Sequence, residues 1–189
     1  IQEVLQADVN LVNCENCKTD FMVKGDIEFD NVSFSYEQGG NNVLNELSFK
    51  VKAGERIGII GSTGSGKSTL IQLIPRLYDV SSGSITIDGT DIRQLDIATL
   101  RKQIGFVTQT ATVFSGSVGT NIAMGDNETT MIAMEDASKQ AQAYEFIDPY
   151  DDYFNHETQA KGANLSGGQK QRISLARAFL RHPKILILD

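Results

Sequence analysis

Basic residues are in short supply: 17 Lys and Arg stand against 24 Asp and Glu, for a net charge of −7. Nucleic acids and anionic bilayers are gripped by clustered positive charge, so a broad surface for either is excluded and any anion site must be local. Long apolar runs are missing too. No stretch reaches the roughly eighteen residues of a membrane span, and the first residues lack the charged-then-apolar pattern of a secretion leader. The expectation is a cytosol-facing piece that neither crosses a membrane nor carries a leader. Histidine is limited to His156 and His182, at no ligand-like spacing, and cysteine to Cys14 and Cys17, one C-x-x-C in an Asn-rich lead-in. A zinc site needs a second ligand pair, and a redox pair is expected within a βαβ unit. Neither accompanies these two residues, which read as reduced, structurally incidental thiols. Repeats and low-complexity segments are absent as well. At 189 residues and 40% hydrophobic, the chain suits one globular domain with a real core, or slightly less than one larger domain.

What the chain does have is Gly61–Thr69, GSTGSGKST, which matches G-x-x-x-x-G-K-[ST] with Gly61, Gly66, Lys67 and Ser68 in the required places. Before it, Arg56–Gly61 has the Ile-rich character of a buried strand. After it, Leu70, Ile71, Leu73, Ile74 and Leu77 fall at helical spacing. This is the context of a phosphate-binding loop. Gly61, Gly64 and Gly66 let the backbone curl so that N–H groups point inward, and the following helix presents its positive end to the same anion. Lys67 is placed to reach the β/γ-phosphates, and the Ser68 hydroxyl to hold Mg²⁺. A plain Gly/Ser-rich turn is the bland alternative, but it has no need of a lysine opening an apolar helix.

Taken in order, residues 1–24 show weak helical periodicity (Val4, Leu5, Val9, Val12) and then turn polar, as a linker would. The run from Ile27 to Tyr36 alternates as a half-exposed antiparallel strand. Residues 38–42 form a turn, and Val43–Val51 a second strand. Pro75 ends or kinks the helix near Ile74. Ser84–Asp88 alternates as a strand, Asp96 is a candidate N-cap for a helix to Gln103, and Ile104–Thr108 reads as a buried strand ending at Gln109. From Thr110 to Gln159 the texture becomes short amphipathic helices (117–124, 130–143, 144–147) with no buried strand. A helix over Lys170–Arg181 and a strand over Ile185–Leu188, closing on Asp189, complete the chain.

Leu165-Ser-Gly-Gly-Gln169 is a second candidate anion site, since a serine and two glycines directly before a helix expose backbone N–H groups. A capped turn is the plainer reading of the pentapeptide alone. A second phosphate cradle implies a nucleotide gripped from two sides.

Together and in this order, Gly61–Thr69, Gln109, Leu165–Gln169 and Ile185–Asp189 closely resemble the nucleotide-binding domain of ATP-binding-cassette (ABC) transporters. Phe34-Ser-Tyr36, Phe114-Ser-Gly116, Asn121-Ile122 and residues 143–147 are similar to the exporter branch, in which the cassette follows a transmembrane domain. The resemblance implies an α/β fold, that of a P-loop NTPase (RecA-like), with a mostly parallel sheet, an antiparallel β subdomain and an inserted α-helical subdomain, expected to be incomplete at the C-terminus. It implies a linker over 1–24 and a nucleotide-binding domain over 25–189. Residues 25–109 and 170–189 would form the β subdomain and core, and 110–169 the helical subdomain with the signature.

The resemblance also assigns roles. Tyr36 stacks on adenine; a simple strand aromatic is the alternative. Gly61, Ser62, Thr63, Gly64, Ser65, Gly66, Lys67, Ser68 and Thr69 cradle the phosphates. Gln109 binds Mg²⁺ or water and senses nucleotide, unless it is an ordinary strand-end polar residue. Asp189, at the end of the Walker B strand, holds Mg²⁺ directly or through water, so that Ser68, Gln109 and Asp189 are the metal set and Lys67, Gln109 and Asp189 the catalytic set. Ser166, Gly167, Gly168 and Gln169 contact the γ-phosphate bound to the other cassette of a head-to-tail homo- or heterodimer. The implied ligands are ATP and Mg²⁺. The implied partners are a second cassette and transmembrane domains, with no nucleic acid, at the cytoplasmic face of a membrane. The activity is ATP hydrolysis that drives export. The alternative is a degenerate regulatory cassette that binds ATP without hydrolysing it.

Departures from the family pattern qualify this. The family's glutamate after the Walker B aspartate, its next interface loop and its switch histidine all follow the position of Asp189, and both histidines of this chain precede it. The 189 residues alone are therefore expected to bind nucleotide but hydrolyse poorly. Where exporters often carry Gly-Glu-Arg-Gly before the signature, this chain has Gln159-Ala-Lys-Gly162, so the glutamate that contacts the membrane domain is replaced by Ala160.

Overall fold

A computed structural model describes residues 11–189 except Gln38, Gly125 and Asn127. Val4, Leu5 and Val9 of the expected linker lie outside the described residues, as does Gln38 of the expected turn. The chain divides into two compact units, residues 1–102 and 103–189.

The first unit is organised on β1 (Ile27–Phe34), flanked by β2 (Leu44–Val51) and by β3 (Ser82–Ile87), which continues to β4 (Thr90–Asp91); the order is β2-β1-β3-β4. All pairings are antiparallel. Ile27 faces Val51 and Ile87, and Phe29 faces Phe49 and Ile85, so the alternation read in the sequence becomes one apolar face. The Phe29 and Phe49 rings stack at 4.5 Å. Cross-strand pairs of this kind add roughly 0.2–1 kcal/mol each. The alternation breaks at Asn31, whose φ is 51° and around which the register shifts. The result is a bulge that leaves Val32, Ser33 and Phe34 all buried. Gly83 lies against it with φ +80°, where an added Cβ would fall 2.4 Å from the Asn31 carbonyl oxygen. Glycine alone permits that approach, and β3 begins at Ser82, two residues before the Ser84 at which the sequence places it.

Helix α1 (Lys67–Leu73) buries Leu70, Ile71 and Leu73 and is capped by Ile74, as Pro75 requires. Leu77 falls past its end and is exposed. The turn that follows is held by Arg76, buried with φ 51°. Arg76 pairs with Asp79 at 2.7 Å, while Arg101 donates to the Pro75 and Arg76 carbonyls at 2.9 and 2.6 Å. Helix α2 (Ile97–Lys102) opens on Asp96, which accepts from Thr99 N at 2.8 Å.

Two expectations fail in this unit. Arg56–Gly61 is not a strand: Ile57, Ile59 and Ile60 are exposed, Ile60 at 98%. An extended run becomes a strand only when a neighbour completes its hydrogen-bond ladder, and no strand of the first unit pairs with it. Cys14 and Cys17 are not free thiols but a disulfide, with Cα atoms 5.1 Å apart. The turn between them brings the pair inside the 4.4–6.8 Å range typical of such bonds, a local geometry that needs no βαβ unit. The ring is bracketed by two anchors. Asn13 accepts from Ile97 N at 2.9 Å and donates to Asp96 at 2.7 Å, and Lys18 forms a parallel bridge with Leu95.

In the second unit β5 (Ile104–Val107) and β8 (Ile185–Leu188) pair in parallel, Ile104 opposite Ile185 and Val107 opposite Leu188. Gly105 faces Pro183, where a Cβ would lie 2.9 Å from the ring. The helices are α3 (Val118–Ala123), α4 (Met131–Gln140), α5 (Tyr144–Ile147) and α6 (Gly167–Leu180). They close around Val118, Ile122, Ile147, Phe154 and Ile173, all essentially inaccessible. A two-residue pair not expected from the sequence, β6 (Gly116–Ser117) with β7 (Glu157–Thr158), buries Thr158. Helix α6 starts at Gly167, so the signature glycines form its first turn instead of preceding it.

Candidate functional site

In the first unit, Gly64 and Gly66 have φ 80° and 86°. At Gly66 a Cβ would also meet Leu44 Cδ2 at 2.9 Å, so handedness and crowding both select glycine. Gly61 serves differently, since a Cβ there would lie 2.6 Å from Ser65 Oγ. The Lys67 ammonium turns back over the loop and donates to the Gly61 and Ser62 carbonyls at 3.0 and 2.7 Å, with Ser65 Oγ at 3.4 Å. Val43 and Gly64–Thr69 line a shallow open depression. A neutral loop with a lysine folded over it suits a compact anion that would take over the ammonium's bonds.

Tyr36 meets the loop at Thr69. It follows β1, is 53% exposed, and shares a hydroxyl–hydroxyl hydrogen bond of 2.8 Å with Thr69. Phe34 and Tyr78 meet its ring edge-on at 4.9 and 5.3 Å. The structure thus brings Tyr36 to the loop although 33 residues separate it from Thr69.

The remaining candidates lie in the second unit. Gln109 is exposed in the bend just after β5, and Asp189 follows β8, its N–H donating to the Val107 carbonyl at 2.9 Å. Because β5 and β8 run in parallel, both residues fall at the carboxyl end of the same strand pair. Ser166 caps α6: Gln169 N donates to Ser166 Oγ at 3.2 Å and Ser166 N to Gln169 Oε1 at 2.8 Å, a reciprocal capping box. Ser166, Gly167 and Gly168 are exposed, and a Cβ on either glycine would meet nothing within 4 Å. Among the described residues no cluster of three His, Cys, Asp or Glu could hold a metal ion, and no helix is long and apolar enough to cross a membrane.

The family model for ABC transporters matches residues 44–189. The chain belongs to the ABC transporter family. It is a nucleotide-binding domain with a P-loop NTPase fold, and the relatives it matches are of the exporter type. It is 48% identical over 168 residues to mouse ATP-binding cassette sub-family B member 5, covering 88% of this chain and 13% of that protein. It is 40% identical over 187 residues to the Bacillus subtilis ABC transporter ATP-binding protein YwjA, covering 99% of this chain and 32% of that one. A solved bacterial Atm1-family ABC exporter with ATP bound superposes with a TM-score of 0.91 at 34% identity, covering 97% of this chain and 32% of that one. The chain therefore spans a third or less of each of these relatives.

In this ABC domain the sequence reading missed one neighbour of the loop and one neighbour of Tyr36. Val43 lines the depression although it reads only as a strand residue. Tyr78 meets Tyr36 edge-on, and its only signal was a third aromatic placed just after an apolar helix.

Proposed function

We propose that this domain binds MgATP, with the phosphates in Gly61–Thr69 and the adenine on Tyr36, and that it works in a head-to-tail pair of cassettes. In that pair Ser166–Gln169 of one cassette reaches the γ-phosphate held by the loop of the other. Binding closes the pair, hydrolysis reopens it, and the movement drives transmembrane domains that carry a substrate outward from the cytoplasmic face. The observation that carries this reading is Lys67 folded over Gly61 and Ser62, 2.7–3.0 Å from their carbonyls, in a loop whose glycines are demanded by its curl.

The loop's part is electrostatic. A phosphate oxygen is a stronger acceptor for an ammonium than two neutral carbonyls, so Lys67 exchanges one set of bonds for the other with little movement. Ser68, Gln109 and Asp189 would offer a hydroxyl, an amide oxygen and a carboxylate, the hard oxygen donors that Mg²⁺ accepts beside a phosphate. When bound, Mg²⁺ neutralises charge developing on the transferred phosphoryl group. Asp189 and Gln109, at the same end of β5 and β8, would hold and orient water there.

The signature supports pairing by a cost argument. Glycine inside a helix costs about 1 kcal/mol relative to alanine, yet at Gly167 and Gly168 none of the described residues lies within 4 Å of an added Cβ. Two costly residues in an exposed first turn leave room for something outside the chain to reach the backbone N–H groups.

In the transporter that carries this domain, Lys67→Ala is expected to abolish MgATP turnover. Undiminished turnover would contradict the motor reading. ATP binding lost in the variant with turnover unchanged would instead mark a regulatory cassette. The 189 residues by themselves are expected to bind MgATP or ADP weakly and to turn over negligibly.

A further inference from the structure

We infer that Thr69 and Tyr78 are positioning residues for base recognition: together they hold the Tyr36 ring in one orientation and tie it to the phosphate loop. The inference rests on the reading that a nucleotide base stacks on Tyr36, and it adds what makes that ring a preformed platform.

Tyr36 lies past the end of β1 and is half exposed, so strand pairing does not fix its side chain. Three contacts do. Its hydroxyl meets Thr69 Oγ1 at 2.8 Å, an ordinary length for an O–H···O bond. Thr69 is 6% exposed in the first turn of α1, two residues after Lys67, and its branched Cβ restricts χ1. The bond therefore joins the ring to a buried point on the helix that carries the phosphate-binding lysine. Phe34 and Tyr78 complete the cage with planes at 83° and 89° to that of Tyr36, the edge-to-face arrangement aromatic pairs favour. Phe34 belongs to the buried core. Tyr78 does not: it is 40% exposed, beyond the end of α1, and its contacts with Phe34 and Tyr36 make it a brace on the ring.

Without these contacts a flexible exposed tyrosine would have to be ordered each time a base arrived, and affinity for the base would fall accordingly. Phosphate binding would not change, because Lys67 and the loop glycines do not depend on the Tyr36 ring.

The test compares binding of ATP and of inorganic triphosphate to the full chain by titration calorimetry. Tyr36→Phe and Thr69→Val each remove one hydroxyl of the bond. Each is expected to weaken ATP binding about fivefold, and the double variant to lose no more than either alone. Thr69→Ser keeps a hydroxyl and stays near wild type. Tyr78→Ala weakens ATP binding severalfold, and Tyr78→Phe restores it. Triphosphate binding is unchanged in the Tyr36 and Tyr78 variants. Additive losses in the double variant, or equal losses for triphosphate in the Tyr36 or Tyr78 variants, would overturn the inference. Tyr36→Ala separates the two levels. If it weakens ATP binding while Tyr36→Phe, Thr69→Val and Tyr78→Ala do not, the platform is real but is not held in this way. If Tyr36→Ala itself changes nothing, the stacking reading fails. Should Thr69→Val not fold, Tyr36→Phe and the Tyr78 pair carry the test.

Discussion

Asn121 concentrates the polar bonding of the helical unit. It is 3% exposed. Its Oδ1 accepts from Phe114 N at 2.8 Å, and its Nδ2 lies 2.9 Å from the Phe114 and Ser117 carbonyls and 3.0 Å from Thr158 Oγ1. Arg177 closes the arrangement from α6, donating to the Asn121 and Thr112 carbonyls at 2.8 and 3.2 Å, and burial together with the charge of Arg181 holds its guanidinium below the ordinary value. Truncation at Asn121 would leave several buried groups unpaired, so Asn121→Ala is expected to lower stability by about 3 kcal/mol in denaturant titrations. A loss below about 0.5 kcal/mol, the scale of an ordinary surface change, would show the network to be dispensable. In the sequence Asn121 stands out only through the exporter-like pair Asn121-Ile122, and its bonding is not legible there, because its partners come from positions up to 56 residues away. Lys67 is the opposite case: its neighbours in the chain are its neighbours in space, and the motif could be read directly.

At the scale of elements, strands that alternate and helices with a cap were legible. Ile185–Leu188 and Tyr144–Ile147 fall where periodicity placed them, and Asp96 caps α2 as its residue type suggests. Arg56–Gly61 was not legible, because composition reports a preference for extended backbone while pairing decides whether a strand exists. The cap also gives a pH dependence. The hydrogen bond from Thr99 N, with smaller help from Asn13, holds the Asp96 carboxyl below its ordinary value of 3.8. A carboxylate whose folded value is depressed contributes stability above the unfolded value and loses it as pH falls through the folded one. The difference in thermal stability between wild type and Asp96→Ala is therefore expected to be constant at neutral pH and to shrink as pH falls below 3.8 and through the lower folded value. A difference that stays the same in strong acid would show that the cap does not depend on ionisation. The disulfide is checked separately. Alkylation of the native protein without reductant is expected to add nothing, and two adducts before reduction would contradict the Cys14–Cys17 bond.

For the whole molecule, Gly61–Thr69, Leu165–Gln169 and Ile185–Asp189 stand out in the sequence because each is contiguous and chemically unusual. The contact between Tyr36 and Thr69 was not readable as such, since it depends on how β1 and α1 pack in the first unit. The proposed pairing of cassettes belongs to this scale as well, and Ser166→Ala bears on it. Losing the α6 cap is expected to cost about 1 kcal/mol, while MgATP turnover in the assembled transporter falls much further than so small a loss explains; turnover that falls only in proportion to folded protein would remove the signature from the site. The central claim is that Gly61–Thr69 is a nucleotide site centred on Lys67. Its most direct test is calorimetric titration of MgATP into the full chain and into Lys67→Ala, with folding matched by circular dichroism. The account predicts binding to the wild type and a loss of tenfold or more in the variant, about 1.4 kcal/mol or greater; equal affinity for the two would contradict it.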